Sequence, residues 1–155
     1  MTATMTPKTN DKQAEREIRA LLDRWAKALE AKDLDGLMAD YLPDLQLFDV
    51  KPPVQIRSAA ALRALWQACL PFFPGRFRIE RKQLELTVGA DVAFAHFVLG
   101  VRPIGEQHPA SGTWLRGTSC FRRIDGAWRI AHEHCSIPVD FATGTPAFIT
   151  DPDAA

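Results

Sequence analysis

The stretch 111–137, SGTWLRGTSCFRRIDGAWRIAHEHCSI, decides the fold class because it holds two alternating runs that are rich in β-forming residues. Asp125-Gly126 separates the runs, and because both residues tolerate a positive φ, this pair is a strong signal for a tight hairpin turn. The hairpin carries two of the chain's four tryptophans, two of its three cysteines and two of its four histidines. Such a mixture predicts a sheet with one packed face and one face that lines a cavity or an interface.

Composition narrows the class of protein. A chain of 155 residues is most simply one domain and is long enough to bury a hydrophobic core. Basic and acidic residues number 19 each, so charge favours neither a nucleic-acid partner nor an anionic membrane surface. No apolar run reaches the roughly 18 residues that a membrane span needs, and residues 1–10 lack the apolar segment of a signal peptide. The three cysteines have no metal-type spacing, which predicts reduced thiols and a cytoplasmic location.

Helical periodicity dominates the first half of the chain, and strand patterns dominate the second. Three helices are predicted: one from Asp11, which would be its N-cap, one over 34–41 that stops before Pro43, and one from Ser58 to about Leu70. Strands are predicted over 45–50, 54–57, 76–88, 91–101, 111–124 and 128–137. This order predicts an α+β cone, in which a strongly curved sheet wraps around a long helix. We expect residues 1–10 to be a disordered tail, 11–138 the folded domain and 139–155 a C-terminal arm.

Short motifs in this order resemble the SnoaL-like and ketosteroid isomerase-like branch of the NTF2-like superfamily. They are Arg24-Trp25, Asp33-Leu34-Asp35-Gly36-Leu37, Tyr41-Leu42-Pro43-Asp44 and Phe48-Asp49. The last strand, Trp-x-Ile-x-His-x-His-x-Ser, is similar to that of the shorter SnoaL-like and DUF4440-type domains. The likeness spans roughly residues 14–138. It implies an NTF2-like cone with three N-terminal helices packed on a strongly curved, mostly antiparallel sheet.

The resemblance implies a site inside the cone, with Asp49 at the position of the family's general base. That base is a carboxylate that removes a proton next to a carbonyl group. Trp25 and Ser119 stand where the family has its two oxyanion-hole donors, and Trp66 stands where it has a supporting tyrosine. Because neither replacement is an acidic donor, steroid isomerisation is not expected. From the residues alone, Asp49 also fits a second role, as a cap of the following turn or a partner of Lys51.

His96 lies in an almost wholly apolar segment, Ala93-Phe94-Ala95-His96-Phe97-Val98. The family's strand register places His96 on the cavity face together with Phe94 and Val98. An imidazole opposite Asp49 would shuttle a proton or orient a substrate. A core histidine that is hydrogen-bonded to the backbone is the alternative interpretation.

The triplet His132-Glu133-His134 suggests a metal site, because alternate residues of a strand share a face. A third ligand with suitable spacing is absent from the sequence, so no metal is expected. The family's register instead turns Glu133 and Cys135 toward the cavity, and a bulge would reverse this. An arginine on the cavity face would clamp a carboxylate-bearing ligand. The arginines of the hairpin, Arg116, Arg122 and Arg123, are expected to be solvated or to lie between subunits.

Two hypotheses for function remain. The first is a cofactor-free isomerase, cyclase or hydratase that uses Asp49 as general base, assisted by His96, on a hydrophobic carbonyl compound. The alternative is a non-catalytic module that binds a ligand or dimerises. In both, we expect a homodimer joined through the outer faces of the sheets. The predicted ligand-binding residues are Trp25, Tyr41, Trp66, Phe72, Val98, Trp114, Ser119, Glu133 and Cys135.

Overall fold

Three α-helices form one layer of the fold. A computed structural model of the protein describes residues 9–154, with helices α1 (Thr9–Glu30), α2 (Leu34–Met38) and α3 (Ala59–Cys69). Asp33 caps α2 and Ser58 caps α3, and each side chain accepts a backbone N–H of the first turn. The expected N-cap at Asp11 is wrong, because α1 already begins at Thr9. Residues 1–8 of the predicted tail lie outside the described residues.

Five strands form one curved sheet on which the helices pack. They are β1 (Tyr41–Phe48), β2 (Phe77–Val88), β3 (Val92–Pro103), β4 (Leu115–Ile124) and β5 (Ala127–Ser136). Their order in the sheet is β1-β5-β4-β3-β2, and only β1 and β5 are parallel neighbours. The predicted α+β architecture with a mostly antiparallel sheet is therefore confirmed. Two further strands, β6 (Val139–Asp140) and β7 (Thr145–Pro146), pair with each other in the C-terminal arm.

The observed bounds differ most from the predicted ones around β1. Tyr41 begins this strand instead of ending α2, and Pro43 is tolerated because β1 lies at the edge of the sheet with an irregular register. The strand predicted over 54–57 is reduced to a single bridge between Leu47 and Ile56. The hairpin turn at 125–126 is confirmed, with φ values of 51° and 79°.

A β-bulge in β5 decides which of its side chains face the helices. Ala131 has no opposite residue on β4, because Ile130 and His132 pair with adjacent residues of that strand. One extra residue reverses the alternation of a strand. Ile130 is therefore buried in the core and Glu133 also faces inward, although the two are an odd number of residues apart.

Strand β2 contains a second irregularity of the same kind. Its pairing advances by three residues from Lys82 to Glu85 while β3 advances by two, and Gln83 has a φ of 53°. Arg81 before this point and Leu84 after it consequently both lie on the inner side of the sheet.

Strand β3 corrects the predicted orientation of the segment around His96. Ala93 and Ala95 are fully buried in the same cluster as Ile18 of α1, whereas Phe94 is 43% exposed. The small alanine side chains leave room for the helix, so the larger neighbours lie on the outer face. The inner face of β3 therefore carries Ala93 and Ala95, whereas the sequence predicted that it carries His96.

This orientation predicts different stability effects at adjacent positions of β3. Ala95→Leu should lower the free energy of unfolding by about 1–3 kcal/mol, because extra methylene groups must enter a filled core. Phe94→Leu, with the same incoming side chain on the outer face, should change it by no more than about 0.5 kcal/mol. Urea unfolding followed by tryptophan fluorescence measures both. Equal losses would contradict the observed faces of the strand.

Candidate functional site

A cavity of about 240 Å³ lies between the helices and the inner face of the sheet. Trp25 of α1 and Trp66 of α3 form part of its wall, with their ring centroids 6.1 Å apart in an edge-to-face arrangement. Most of the remaining wall is apolar, and the charged side chains that line it are Asp49, Lys51, Arg81 and Glu133. An apolar cavity with a few polar groups is typical of a small-molecule site.

Asp49 follows β1 directly and reaches the cavity wall. Its Oδ1 accepts the backbone N–H of Val50 at 2.7 Å, so the residue caps the turn and lines the cavity at once. Lys51 is not its partner, since the Lys51 ammonium contacts Cys69 Sγ at 2.6 Å. Among residues 9–154, Oδ2 of Asp49 receives no hydrogen bond, and one oxygen of this carboxylate therefore remains available to a ligand.

Glu133 is the centre of a hydrogen-bond chain at the inner wall. The Tyr41 hydroxyl donates to Oε2 at 2.6 Å, and the Ser119 hydroxyl donates to Oε1 at 3.0 Å. The indole N–H of Trp25 in turn donates to the Tyr41 oxygen at 3.0 Å. Because each carboxylate oxygen accepts a bond from a fixed donor, the Glu133 side chain is held in one orientation.

Burial has the largest effect on the pKa values of Glu133 and Tyr41 in this hydrogen-bond chain. Removal from water raises the pKa of Glu133, and the negative charge of Asp49 adds to this effect. The bonds from Tyr41 and Ser119 and the charge of Arg81 oppose it without cancelling it. Burial, followed by the charge of Glu133, likewise raises the pKa of Tyr41. Glu133 is therefore a carboxyl group with an increased tendency to hold a proton.

Cys135 also lines the cavity but is not arranged as a nucleophile. Burial, together with the charges of Glu133 and Asp49, raises the pKa of its thiol to about 12. A thiol of this kind holds almost no thiolate at neutral pH. Cys135 is therefore a small, weakly polar residue of the cavity wall.

Arg81 lines the cavity, although the sequence did not predict it there. Its guanidinium lies 5.0 Å from the ring centroid of Phe97, and Nη2 makes a long bond of 3.4 Å to the carbonyl of Leu22. Burial lowers the pKa of Arg81, although the charges of Asp23 and Glu133 oppose this. The surrounding run, Glu80-Arg81-Lys82-Gln83, is polar at every position. Alternation therefore gave no signal that one of these residues faces inward.

Six of the predicted site residues line the cavity, while His96 and Val98 do not. His96 lies on the outer face of the sheet with 54% of its side chain exposed, and its Nε2 is 3.7 Å from Glu85 Oε2. The prediction that His96 and Val98 face the cavity is therefore wrong, because the inner positions of β3 are those of Ala95 and Phe97. The six residues on the wall are Trp25, Asp49, Trp66, Ser119, Glu133 and Cys135.

Three aromatic residues predicted as ligand contacts lie elsewhere. Tyr41 is buried and meets the site only through its bond to Glu133. Phe72 is 79% exposed. Trp114 is buried away from the cavity, where the guanidinium of Arg102 stacks 4.1 Å from its ring centroid. The sequence identified these rings as large and apolar, but it did not identify which surface each one covers.

The histidines of β5 contact the neighbouring edge strand, β1. His132 and His134 both pack edge to face against Phe48, and His132 Nδ1 lies 2.7 Å from the carbonyl of Gln46. Within the described part of the chain, no three His, Cys, Asp or Glu side chains are grouped closely enough to hold a metal ion. Over residues 9–154, no helix is both long and apolar enough to cross a membrane.

Comparisons with known proteins agree with this architecture. Residues 18–140 match the model of the SnoaL-like domain. An NTF2-like protein of unknown function from Pseudomonas putida KT2440 is 32% identical, with a TM-score of 0.83 over 91% of this chain and 98% of the other. No curated protein sequence matches the chain.

More distant solved structures share the fold alone. A proposed dehydratase of the NTF2-like family from Streptomyces avermitilis is 14% identical, with a TM-score of 0.70 over 81% of this chain and 97% of the other. A protein of unknown function with a cystatin-like fold from Nostoc punctiforme is 20% identical, with a TM-score of 0.69 over 86% and 96%.

The raised pKa of Glu133 predicts a pH-dependent cost to stability. The folded state binds this proton more tightly than the unfolded state, where the pKa is near 4.5, so Glu133 lowers stability as pH rises above that value. Glu133→Gln removes the titration, and the variant should gain stability relative to wild type as pH rises from about 4.5. Urea unfolding over a pH series measures the difference.

Asp44→Asn is the matched control, because Asp44 is an exposed carboxylate on β1. It removes an exposed carboxylate outside the cavity, and its pH series is the baseline for Glu133→Gln. A pH dependence for Glu133→Gln that does not differ from this baseline would contradict the raised pKa.

Proposed function

We propose that this protein, which belongs to the SnoaL-like domain family, binds a small hydrophobic carbonyl compound in its cavity and uses Asp49 as a general base on it. The reaction class is that of a cofactor-free isomerase, cyclase or hydratase, in which a proton next to a carbonyl group is removed. The observation that carries the proposal is the Asp49 carboxylate on the wall of an apolar cavity, with one oxygen that receives no hydrogen bond from residues 9–154.

Glu133 supplies the second group that such a reaction needs. When Asp49 removes a proton from carbon, negative charge develops on the carbonyl oxygen of the substrate. A protonated Glu133 would donate a hydrogen bond to that oxygen, and burial favours its protonated form by raising its pKa. Tyr41 and Ser119 hold the carboxyl group in place for this role. Glu133 would thus be the acidic hydrogen-bond donor to the substrate oxygen, a role that Trp25 and Ser119 cannot fill.

Trp25 and Trp66 would hold the hydrocarbon part of the substrate. Both rings line the cavity, and their edge-to-face contact gives the wall a rigid aromatic surface. The small volume and the mostly apolar wall favour a flat compound of one or two rings.

Deuterium exchange tests this proposal directly. The probe is 2-tetralone in deuterated buffer, with loss of the signal of its α-protons followed by NMR. Wild type should accelerate the exchange, and Asp49→Asn should reduce the enzyme-dependent rate by about 10²–10⁴-fold, the usual contribution of a general base. Asp44→Asn, which removes an exposed carboxylate from the strand that precedes Asp49, should leave the rate unchanged. Equal rates in wild type and Asp49→Asn would overturn the role of Asp49.

The alternative function is ligand binding without turnover. The observation that favours it is that the hydroxyls of Tyr41 and Ser119 and the indole N–H of Trp25 are all engaged within the protein. Stabilisation of the folded protein by 2-tetralone without any exchange would support this alternative.

A homodimer joined through the outer face of the sheet is the second part of the proposal. Val92 is 61% exposed and Phe94 43% exposed on that face, where they lie opposite Arg122 and Cys120 of β4. Exposed apolar surface of this kind is typical of an interface between subunits.

The free thiols of the three cysteines support a cytoplasmic location.

Light scattering checks the dimer. Phe94→Glu places a charge in the centre of the proposed interface and should shift the protein from dimer to monomer. Val54→Glu is the control, because Val54 is 90% exposed in the loop before α3 and should leave the mass unchanged. A monomeric wild type would overturn the dimer.

A further inference from the structure

We infer that the ligand of this cavity carries a carboxylate, and that Arg81 binds it as a bidentate partner. The inference rests on the proposed function, because it specifies the class of carbonyl compound that enters the same cavity. It assigns a hydrophobic oxo acid, or a related aromatic acid, in place of a neutral ketone.

Arg81 has far fewer partners than a guanidinium requires. Its five N–H donors make one long hydrogen bond within the described residues, from Nη2 to the Leu22 carbonyl at 3.4 Å. The Nε atom is buried and has no acceptor there. A partly buried charge with so few bonds is costly unless a partner of opposite charge is supplied.

The acidic groups around Arg81 do not supply that partner. Asp23 and Glu133 influence it electrostatically, but within residues 9–154 neither carboxylate comes within the 4.0 Å of an ion pair. Both oxygens of Glu133 already accept hydrogen bonds from Tyr41 and Ser119. The fork of N–H donors is therefore left for a ligand.

The geometry of Arg81 suits a carboxylate in particular. Its guanidinium lies over the face of Phe97, which limits its movement and leaves the polar edge free to donate. Two parallel N–H bonds from a planar fork match the two oxygens of a carboxylate, and the apolar wall keeps water from competing with them.

Arg81 and Asp49 face the same cavity. Asp49 and Arg81 come from separate elements, the end of β1 and the middle of β2, yet both line the one cavity. A ligand whose carboxylate is fixed on Arg81 would be oriented before its carbon acid meets Asp49. Such fixing of the reacting group is what a positioning arginine contributes to catalysis.

Paired probes test the inference. Isothermal titration calorimetry would compare 2-naphthoate with 2-naphthamide, which has the same ring system and a neutral head group. Wild type should bind the carboxylate about tenfold or more tightly than the amide, as expected for hydrogen bonds to a charged group. Arg81→Met should abolish that preference, and Arg81→Lys, which keeps the charge but loses the fork, should retain only part of it.

Arg78→Met is the matched control, because Arg78 is an exposed arginine on the same strand and outside the cavity wall. It should keep the full preference for the carboxylate. If Arg81→Met does not fold, the wild-type preference and its partial loss in Arg81→Lys still decide the question. Equal binding of naphthoate and naphthamide by wild type, or an unchanged preference in Arg81→Lys and Arg81→Met, would overturn the inference.

Failure of this inference and failure of the proposed function are distinguishable. The exchange of 2-tetralone depends on Asp49 and uses a ligand without a carboxylate. Exchange without any preference for naphthoate would overturn the carboxylate inference alone. A preference for naphthoate without exchange would support the carboxylate inference and leave the protein as a binder of aromatic acids.

Discussion

Strand alternation, and the two places where it is broken, determine the chemistry of the cavity. A regular strand sends every second side chain to one face, so Ile130 and Glu133 could not both point inward without the extra residue at Ala131. The irregularity at Gln83 does the same for β2, where it places Arg81 and Leu84 on one side. Each bulge thus allows a strand to contribute apolar residues to the core at one end and a charged residue to the cavity at the other.

Placing these charges inside the fold has an energetic cost, which the surrounding residues offset unequally. Glu133 receives two hydrogen bonds, and Trp25 stabilises one of the donors by bonding to Tyr41. Within residues 9–154, Arg81 has only the ring of Phe97 and one long bond to a carbonyl. A carboxyl group can reduce the cost of burial by taking up a proton, whereas an arginine keeps its charge at neutral pH. Among the described residues, Arg81 is therefore the charged cavity group that most lacks a partner of opposite charge.

The sequence predicts the elements of this fold better than it predicts their faces. Asp125-Gly126 identifies the hairpin and Ser58 the start of α3, because each depends only on local backbone geometry. In β3, both faces are apolar, and the core takes the small Ala95 while Phe94 stays outside. Size and hydrophobicity alone favour the opposite choice. Only the position of helix α1 over the sheet settles it, and that position is a property of the tertiary structure.

The two carboxylates of the cavity are suited to different tasks because their surroundings differ. Glu133 is fixed by donors on both oxygens, and burial raises its pKa, so it holds a proton more readily than an ordinary carboxyl group and can donate a hydrogen bond in that form. Asp49 gives one oxygen to the turn at Val50 and keeps the other toward the cavity, so it can accept a proton without breaking a network. This division supports the assignment of Asp49, and not Glu133, as the base, and it depends on the bulge that turns Glu133 inward.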